Sequence, residues 1–318
     1  MTKPGVILIT TLLILMVMSV ISMQVSKNFY VSLQREAYLD FKNQSYHMLI
    51  NSEKQVIRNL QKEAKVRQSK LTLSDSILKN KFYYQNDLMQ IEIDISDASN
   101  CFNLNSLFNK SSNTFKVRPA YRDWLIRFLE LKSLSTVNIQ SFIDQLVDWV
   151  DQDNQPLNFG AENYFYIGPA SQTQQFTPKR LLVDLSEIQN FPIMQTLDFT
   201  EITSGLCVIP GSTKQLLNIN TLISEDVLLV ASFFNETNLE FTESQIFNLP
   251  KNGYDDISVF ARNFSQSANY PPQVLSINSQ TFSLEGIIIN ENFSASIKSL
   301  VILDASNTVK IASRTFNF

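Results

Sequence analysis

An acidic cluster near the middle of the chain has the residue types best suited to chemistry. Asp151 and Asp153 stand at alternate positions, and Glu162 follows nine residues after Asp153. Oxygen ligands in this pattern suit a hard cation such as Ca²⁺. The segment is not an EF-hand loop, because it carries Pro156 and its glycine, Gly160, is misplaced. The residues alone leave two interpretations open: a calcium site, or a solvated helix end with turn-forming Asp and Asn side chains.

Other chemistry has little support in the sequence. His47 is the one histidine among 318 residues, and no nucleophile is obviously brought to it, so a half-exposed structural histidine is favoured over a catalytic one. The seven glycines are isolated from one another, which excludes the usual phosphate-binding loops, and no zinc-ligand spacing is present. A net charge of −4 gives no basic footprint for nucleic acid. We therefore expect a protein that is not an enzyme.

The first residues predict a membrane helix. Residues 6–23 contain no charge, Gly or Pro, and at ~1.5 Å per residue they cross most of a ~30 Å hydrocarbon core. The five residues before them include Lys3 and end at Gly5, and no signal-peptide cleavage pattern follows the apolar run. This shape resembles a type IV prepilin N-terminus, which a leader peptidase cuts between Gly5 and Val6. An ordinary signal anchor is the alternative.

The helix is predicted to continue well beyond the membrane. After Gly5 the next glycine is Gly160, and after Pro4 the next proline is Pro119, so no helix breaker interrupts residues 6 to about 65. Apolar residues keep a near-helical spacing in the second half, at Tyr30, Leu33, Ala37, Phe41, Met48, Val56, Leu60 and Ala64. One long helix, apolar first and amphipathic later, would suit the stem of a pilin or the anchor and stalk of a sensor.

Beyond the stem, the hydrophobic period changes twice. Period-two alternation predicts strands at residues 89–95, 257–262, 273–278, 282–290, 296–303 and 308–315. From Pro119 to about Pro250 the period is close to 3.6, which predicts helices over residues 121–131, 142–150 and 224–234. We expect Ser224 to cap the last of these helices and residues 242–245 to form a capping box.

This order predicts an α+β fold, in which an antiparallel sheet packs on the long helix and carries a large, mainly helical insertion. The expected divisions are a leader (1–5), a transmembrane and stem helix (6–70), the first part of the sheet (71–105), the insertion (106–250) and the rest of the sheet (251–318). The two cysteines, Cys101 and Cys207, would pair if the body is exported to an oxidising compartment, or would be two unrelated buried thiols.

Seven stretches together resemble the K-type minor pseudopilins of the type II (general) secretion pathway. They are Gly5-Val6 with its apolar helix, DASNCFNLN at 97–105, VDWVDQD at 147–153, GAENY at 160–164, VDLSE at 183–187, LCVIPG at 206–211 and LNINT at 217–221. They come in the family's order and cover the stem, the strand before the insertion and most of the insertion. The sheet after Pro250 matches only by pattern.

The resemblance implies a type IV pilin-like head whose insertion binds Ca²⁺ through Asp151, Asp153, Glu162 and Asn163. Asn163 stands where the family usually has Asp, which removes one charge and leaves at most a carbonyl ligand. It also implies a Cys101–Cys207 disulfide, since both cysteines fall inside matching motifs.

The implied function is that of a tip subunit of the secretion pseudopilus, which helps initiate assembly and caps the filament with I-type and J-type minor pseudopilins. The protein would be cut by the prepilin peptidase, methylated, and held in the inner membrane with a cytoplasmic N-terminus and a periplasmic body. Thr10 replaces the Glu that most pilin-like proteins carry at the fifth mature position, and a subunit without a neighbour above it has no use for that carboxylate. A membrane-anchored extracytoplasmic binding or sensor module is the alternative function.

Overall fold

A computed structural model describes residues 4–68, 70–85, 89–111, 114–169, 174–264, 273–290, 292–304 and 308–318. Helix α1 (Pro4–Val66) has the predicted length. It is exposed on every side up to residue 37, and its apolar first part is long enough to cross a membrane. The hydroxyl groups of Thr10, Thr11 and Ser19 in that part donate to the helix's own carbonyls, so these three present no unpaired donor to hydrocarbon.

The second half of α1 buries one stripe against a sheet. The buried positions recur every three or four residues, at Phe41, Ser45, Leu49, Glu53, Val56, Leu60 and Ala64. A short helix, α2 (Ser76–Lys79), follows the stem. The stripe, α2 and the inner face of the sheet share one hydrophobic cluster, which we call the stem core.

The sheet has five antiparallel strands in the order β1-β2-β9-β10-β11. Its members are β1 (Phe82–Gln85), β2 (Gln90–Asp97), β9 (Thr281–Ile289), β10 (Ser294–Leu303) and β11 (Val309–Asn317). Alternate residues of the central strands are buried, as the period-two pattern requires. The predicted α+β class, with an antiparallel sheet on a long helix, is confirmed.

A large insertion leaves the sheet after β2 and returns at β9. Its helices are α3 (Pro119–Leu131), α4 (Thr136–Val150), α5 (Asn163–Tyr166), α6 (Phe199–Thr203), α7 (Val227–Phe234), α8 (Leu239–Phe247) and α9 (Ile257–Ala261). Short 3-10 helices cover Leu104–Leu107, Leu185–Asn190, Pro192–Gln195 and Ser224–Asp226. A hairpin of β4 (Phe108–Ser111) and β5 (Thr114–Val117) lies near its start. The insertion has its own aromatic-rich core around Trp124.

Two parallel two-residue ladders close the insertion: β3 (Phe102–Asn103) with β6 (Leu206–Cys207), and β7 (Leu217–Asn218) with β8 (Leu275–Ser276). At its junction with the sheet, the carboxylate of Asp97 accepts hydrogen bonds from Asn218 Nδ2 (2.9 Å), Thr221 Oγ1 (2.8 Å) and Ser279 Oγ (2.7 Å). These buried polar groups satisfy one another and fix where the insertion meets the sheet.

Three sequence predictions about residues 224–262 are wrong. A strand was expected over residues 257–262, but Ile257–Ala261 form α9, because Asp256 accepts a hydrogen bond from Ser258 N–H and caps a helical turn. Ser224 does not cap the following helix, because it lies inside a 3-10 turn. At the start of this turn the backbone N–H of Ile223 donates to Asp226 Oδ2. Thr242 lies inside α8, whose N-cap is Asn238.

The boundary of the sheet also differs from the expected one. The sheet was expected from residue 251, but α9 packs into the core of the insertion through Phe260, and the sheet resumes at Thr281. At the other end the sheet stops at Asp97, and Phe102 already belongs to the core of the insertion. The insertion is therefore longer at both ends than the predicted 106–250.

Candidate functional site

The acidic cluster begins where α4 ends. Ser135 caps the start of this helix, and Trp149 and Val150 bury its last turn in the core of the insertion. Asp151 is the C-cap, with its N–H bonded to the carbonyl of Val147. The chain cannot continue the helix into residues 152–160, which run without regular backbone pairing to the start of α5. The C-terminal end of a helix carries partial negative charge, so a carboxylate placed there favours a nearby cation.

The structure brings three of the predicted ligands together. One oxygen each of Asp151, Asp153 and Glu162 lies within 4.8 Å of the other two. Carboxylate oxygens that share a calcium ion lie 2.3–2.6 Å from it, which allows separations up to about 5 Å. The spacing of the three side chains therefore fits one hard cation.

Two buried oxygens of this cluster have no hydrogen-bond partner among the residues that the structure describes. Glu162 is 1% exposed, and among the described residues neither its Oε1 nor Asp151 Oδ1 has a hydrogen-bond partner. Buried carboxylate oxygens are normally satisfied, because leaving one unpaired costs the desolvation of a charged group. The residues thus fit a bound cation with oxygen ligands.

Negative charge is crowded here. Burial, together with the neighbouring carboxylates of Asp153 and Glu162, raises the pKa of Asp151 to about 6, although the ammonium of Lys179 opposes this shift. Burial raises the pKa of Asp148, one helical turn earlier, to about 7, although the N–H of Leu157 counteracts this by donating to its carboxylate. A cation would relieve this crowding.

Lys179 is the member of this site that the sequence did not reveal. Its ammonium lies 3.3 Å from Glu162 Oε2 and also donates to the backbone carbonyl of Asp153. Lys179 has a left-handed backbone with φ of 49°, which is uncommon for a residue with a side chain. It comes from a loop seventeen residues beyond Glu162, and no spacing rule connects the two.

Asn163 makes other contacts. Its Oδ1 accepts hydrogen bonds from the N–H (2.7 Å) and the hydroxyl (2.8 Å) of Thr177, and its carbonyl accepts from Ile167 N–H. Its own N–H lies 3.4 Å from Glu162 Oε2. In this geometry Asn163 supports the loop around the cluster and orients Glu162.

The local structure also explains why residue 160 is a glycine. A Cβ atom at this position would lie 1.9 Å from Asp148 Oδ2, so a side chain would collide with the carboxylate. Asp148 is fully buried and holds Leu157 N–H. The GAENY and VDWVDQD motifs are therefore joined through backbone contacts that hold the acidic loop in place.

The remaining predicted residues lie elsewhere. Cys101 and Cys207 form a disulfide with Cα atoms 5.8 Å apart, beside the β3–β6 ladder. His47 stands on α1 next to the ring of Tyr46, 5.5 Å between centroids. Val6 and Thr10 lie on the exposed apolar part of α1. The predicted leader falls partly outside the described residues, since Met1–Lys3 are not among them.

The chain is similar in sequence to known proteins of one kind. Residues 100–211 match the family model of the type II secretion system protein K. A type II secretion system protein K of Klebsiella pneumoniae is 30% identical over 145 residues, which is 46% of this chain and 44% of that protein. A putative protein K of Escherichia coli K12 is 23% identical over 72% of this chain and 69% of its own length. The type II secretion system protein K of Pectobacterium carotovorum is 28% identical over 59% of this chain and 58% of its own length. The matches thus span between 44% and 69% of the length of these relatives.

The fold has a solved counterpart. The chain superposes with a TM-score of 0.72 on a chain of the GspK-GspI-GspJ complex from the type 2 secretion system of enterotoxigenic Escherichia coli. The match covers 87% of this chain and 98% of that one, at 19% identity, and it confirms the pilin-like head with its helical insertion. Together these similarities confirm the resemblance seen in the sequence: over residues 100–211 the chain is similar to the type II secretion system protein K, and it shares the fold of a chain in the GspK-GspI-GspJ complex.

Proposed function

We propose that this protein is a minor pseudopilin at the tip of the type II secretion pseudopilus, where it helps initiate assembly and caps the filament. It acts there with I-type and J-type minor pseudopilins. The GspK chain of similar fold was solved in a complex with GspI and GspJ, which supports this choice of partners. The role is structural and not enzymatic, in keeping with the family and with the poverty of catalytic residue types.

The uncovered first half of α1 is the observation that carries this proposal. Residues 6–37 are exposed all round, and the head first covers the helix near Phe41. A bilayer covers such a helix before assembly, and the helices of neighbouring subunits cover it in a filament. Residues 24–37 lie beyond the apolar span yet still expose Phe29, Tyr30, Val31 and Leu33. A sensor stalk would need no such apolar surface outside the membrane, so the filament subunit is favoured over the sensor module.

Thr10 supports a tip position. In a filament, a carboxylate near the N-terminus of one helix can pair with the free amine of the next subunit, and without that partner it is costly in an apolar environment. The hydroxyl of Thr10 bonds within its own helix and needs no neighbour. A subunit built this way loses nothing when no subunit lies above it.

The proposal includes processing and placement. The prepilin peptidase cuts between Gly5 and Val6, and the new amine is methylated. Before assembly the protein spans the inner membrane once, with its N-terminus cytoplasmic and its body periplasmic, where the cysteines are oxidised.

We also propose that the acidic cluster holds a structural calcium ion through Asp151, Asp153 and Glu162. Calcium would supply two positive charges that offset most of the negative charge of the three carboxylates and would hold an irregular loop in one conformation. Asp148 and Asn163 position this loop through their hydrogen bonds.

Co-purification tests the assembly role. The full-length chain, expressed with the I-type and J-type minor pseudopilins of its own secretion system, is expected to elute with both from detergent as one complex. A variant lacking residues 98–280 keeps the stem and sheet and serves to locate the contacts. If the full-length chain elutes alone under conditions in which the other two pair, the tip assignment is wrong.

A further inference from the structure

The position of Lys179 inside the acidic cluster carries a further inference, which rests on the proposed calcium site. The cluster already contains one cation, the ammonium of this lysine, and that cation belongs to the chain. It bonds the carbonyl of Asp153 and one oxygen of Glu162, which are groups of two proposed ligands. A calcium ion and this ammonium would therefore share the carboxylate of Glu162 and lie against the same residue, Asp153.

The cluster has room for one of the two cations. Its three carboxylate oxygens lie within 4.8 Å of one another, which is the span of a single coordination sphere. An ammonium that stays 3.3 Å from Glu162 Oε2 would lie next to a calcium ion bound by the same carboxylate. Like charges at such a distance repel strongly in a partly buried site.

Lys179 satisfies the cluster only in part. Within the part of the chain that the structure describes, Glu162 Oε1 and Asp151 Oδ1 still have no hydrogen-bond partner, and both oxygens are buried. One positive charge also faces three carboxylates. A divalent ion with six to eight ligand positions would neutralise more charge and bind more of these oxygens. The lysine is therefore a counter-ion that calcium can replace.

The side chain of Lys179 can also move out of the cluster into solvent. It is 23% exposed, and its aliphatic part is not locked in the core. Its backbone has a positive φ, so holding the ammonium in the cluster coincides with a conformation that residues with side chains seldom adopt. Rotation about the side-chain bonds would carry the ammonium into solvent and vacate the oxygens.

We propose that Lys179 is a tethered competitor for the calcium site: its ammonium neutralises the carboxylate cluster when calcium is absent, and calcium binds only by displacing it. The lysine then has two opposite effects. It stabilises the calcium-free loop, and it sets the calcium concentration above which the site fills.

Calorimetric titration with calcium chloride of the full-length chain in detergent tests this competition. Lys179→Met removes the charge and keeps the aliphatic stem. We expect at least a tenfold lower Kd for calcium in this variant, and a lower melting temperature than wild type in chelator. Lys251→Met, on an exposed turn outside the cluster, is the matched control and should change neither quantity. A Kd that is unchanged or higher in Lys179→Met would overturn the competition.

A second measurement needs no variant. Reductive methylation followed by mass spectrometry reports how accessible each lysine amine is. Lys179 should react faster in calcium than in chelator, because the displaced ammonium is solvated, and the rate at Lys251 should stay the same. An equal rate at Lys179 in both conditions contradicts the displacement.

The outcomes separate this inference from the calcium proposal. If wild type and Lys179→Met bind calcium equally, the competition is wrong and the calcium site stands. If only Lys179→Met binds, the competition stands, and the lysine has taken the ion's place in the wild-type protein. If neither binds, both ideas are wrong.

Discussion

Arg314 on the last strand holds Glu53 of the stem helix through two hydrogen bonds, of 3.1 and 2.6 Å, across 261 positions of sequence. Glu53 is 1% exposed and also accepts a hydrogen bond from Ser299 on β10. A buried carboxylate is tolerated when its charge is paired and its oxygens are bonded. This pair fixes which residues of the stem face the sheet.

Breaking that pair should destabilise the head. Glu53→Gln removes the charge and leaves the Arg314 guanidinium without its partner, which we expect to lower the free energy of unfolding by about 3 kcal/mol, the low end for a buried pair because Arg314 is partly exposed. Urea denaturation measures the change. Glu63→Gln, in the exposed pair with Arg67 on the same helix, should cost less than about 1 kcal/mol. Equal effects of the two substitutions would contradict a special role for Glu53.

Loss of the disulfide should loosen the insertion. The bond joins residues 106 positions apart, and in the chain-entropy model a loop of this length contributes about 4–5 kcal/mol. Cys101→Ser should therefore lower the free energy of unfolding by a few kcal/mol under oxidising conditions. Under reducing conditions the wild-type protein should approach the variant. Two alkylatable thiols in protein taken from the periplasm would refute the bond.

Calcium should raise the melting temperature of the wild-type protein relative to chelator. A ligand that binds only the folded state stabilises it by about 2.7 kcal/mol at a hundredfold excess over Kd. Glu162→Ala should remove most of the difference, whereas Glu130→Ala, exposed on α3, should keep it. Magnesium should substitute poorly because it demands a stricter octahedral geometry. An unchanged melting temperature, with no bound ion by elemental analysis, would show that the cluster is an acidic turn and not a calcium site.

Asp226 should make stability fall between pH 4 and pH 7. Burial raises its pKa from an ordinary 3.8 to about 7, although the N–H of Ile223 opposes this by donating to it. In that interval the unfolded chain has ionised Asp226 while the folded chain keeps it protonated, so folding takes up a proton and loses stability as pH rises. The loss is at most about 4 kcal/mol.

Denaturation midpoints at pH 5 and pH 8 measure this effect. Asp226→Asn is neutral at both values, so its stability should drop less than that of the wild type. Glu225→Gln, at the exposed neighbouring position, is the control and should follow the wild type. If Asp226→Asn also falls in parallel with the wild type, other carboxyl groups carry the pH dependence.

Processing gives the most direct test of the N-terminus. The mature protein should begin at Val6, as measured by mass spectrometry of the intact chain. Gly5→Arg should remain uncut, because a bulky cation cannot take the place of glycine beside the scissile bond. A mature protein that keeps residues 1–5, or that starts near residue 25, would exclude the pseudopilin assignment.

Local signals explain what the sequence predicted well. Helix α1 has no glycine or proline between Gly5 and Val66, and β9 and β10 alternate buried and exposed residues over most of their length. The error at α9 has a local cause too. Ile257, Val259 and Ala261 alternate as in a strand, and a five-residue segment is too short for its period to decide.

The features that the sequence could not predict depend on contacts between residues that are distant in the sequence. The β7–β8 ladder joins Leu217 to Leu275 over two residues, and no local pattern marks such a pairing. The three carboxylates of the acidic cluster lie close together in sequence and could be predicted. Lys179 reaches the cluster from a separate loop, and only the folded backbone brings it there.

The insertion leaves and rejoins the sheet at one place. Asp97, the last residue of β2, is paired in register with Phe282, and the N–H of Ala98 bonds the carbonyl of Thr281. The two strands are thus already joined where the chain departs, as they would be at a simple hairpin. The sheet therefore sets no limit on the size of what is attached there. This architecture lets evolution exchange or enlarge the whole appendage, and an engineer could graft a foreign domain at the same point, while the stem helix and the sheet keep their register.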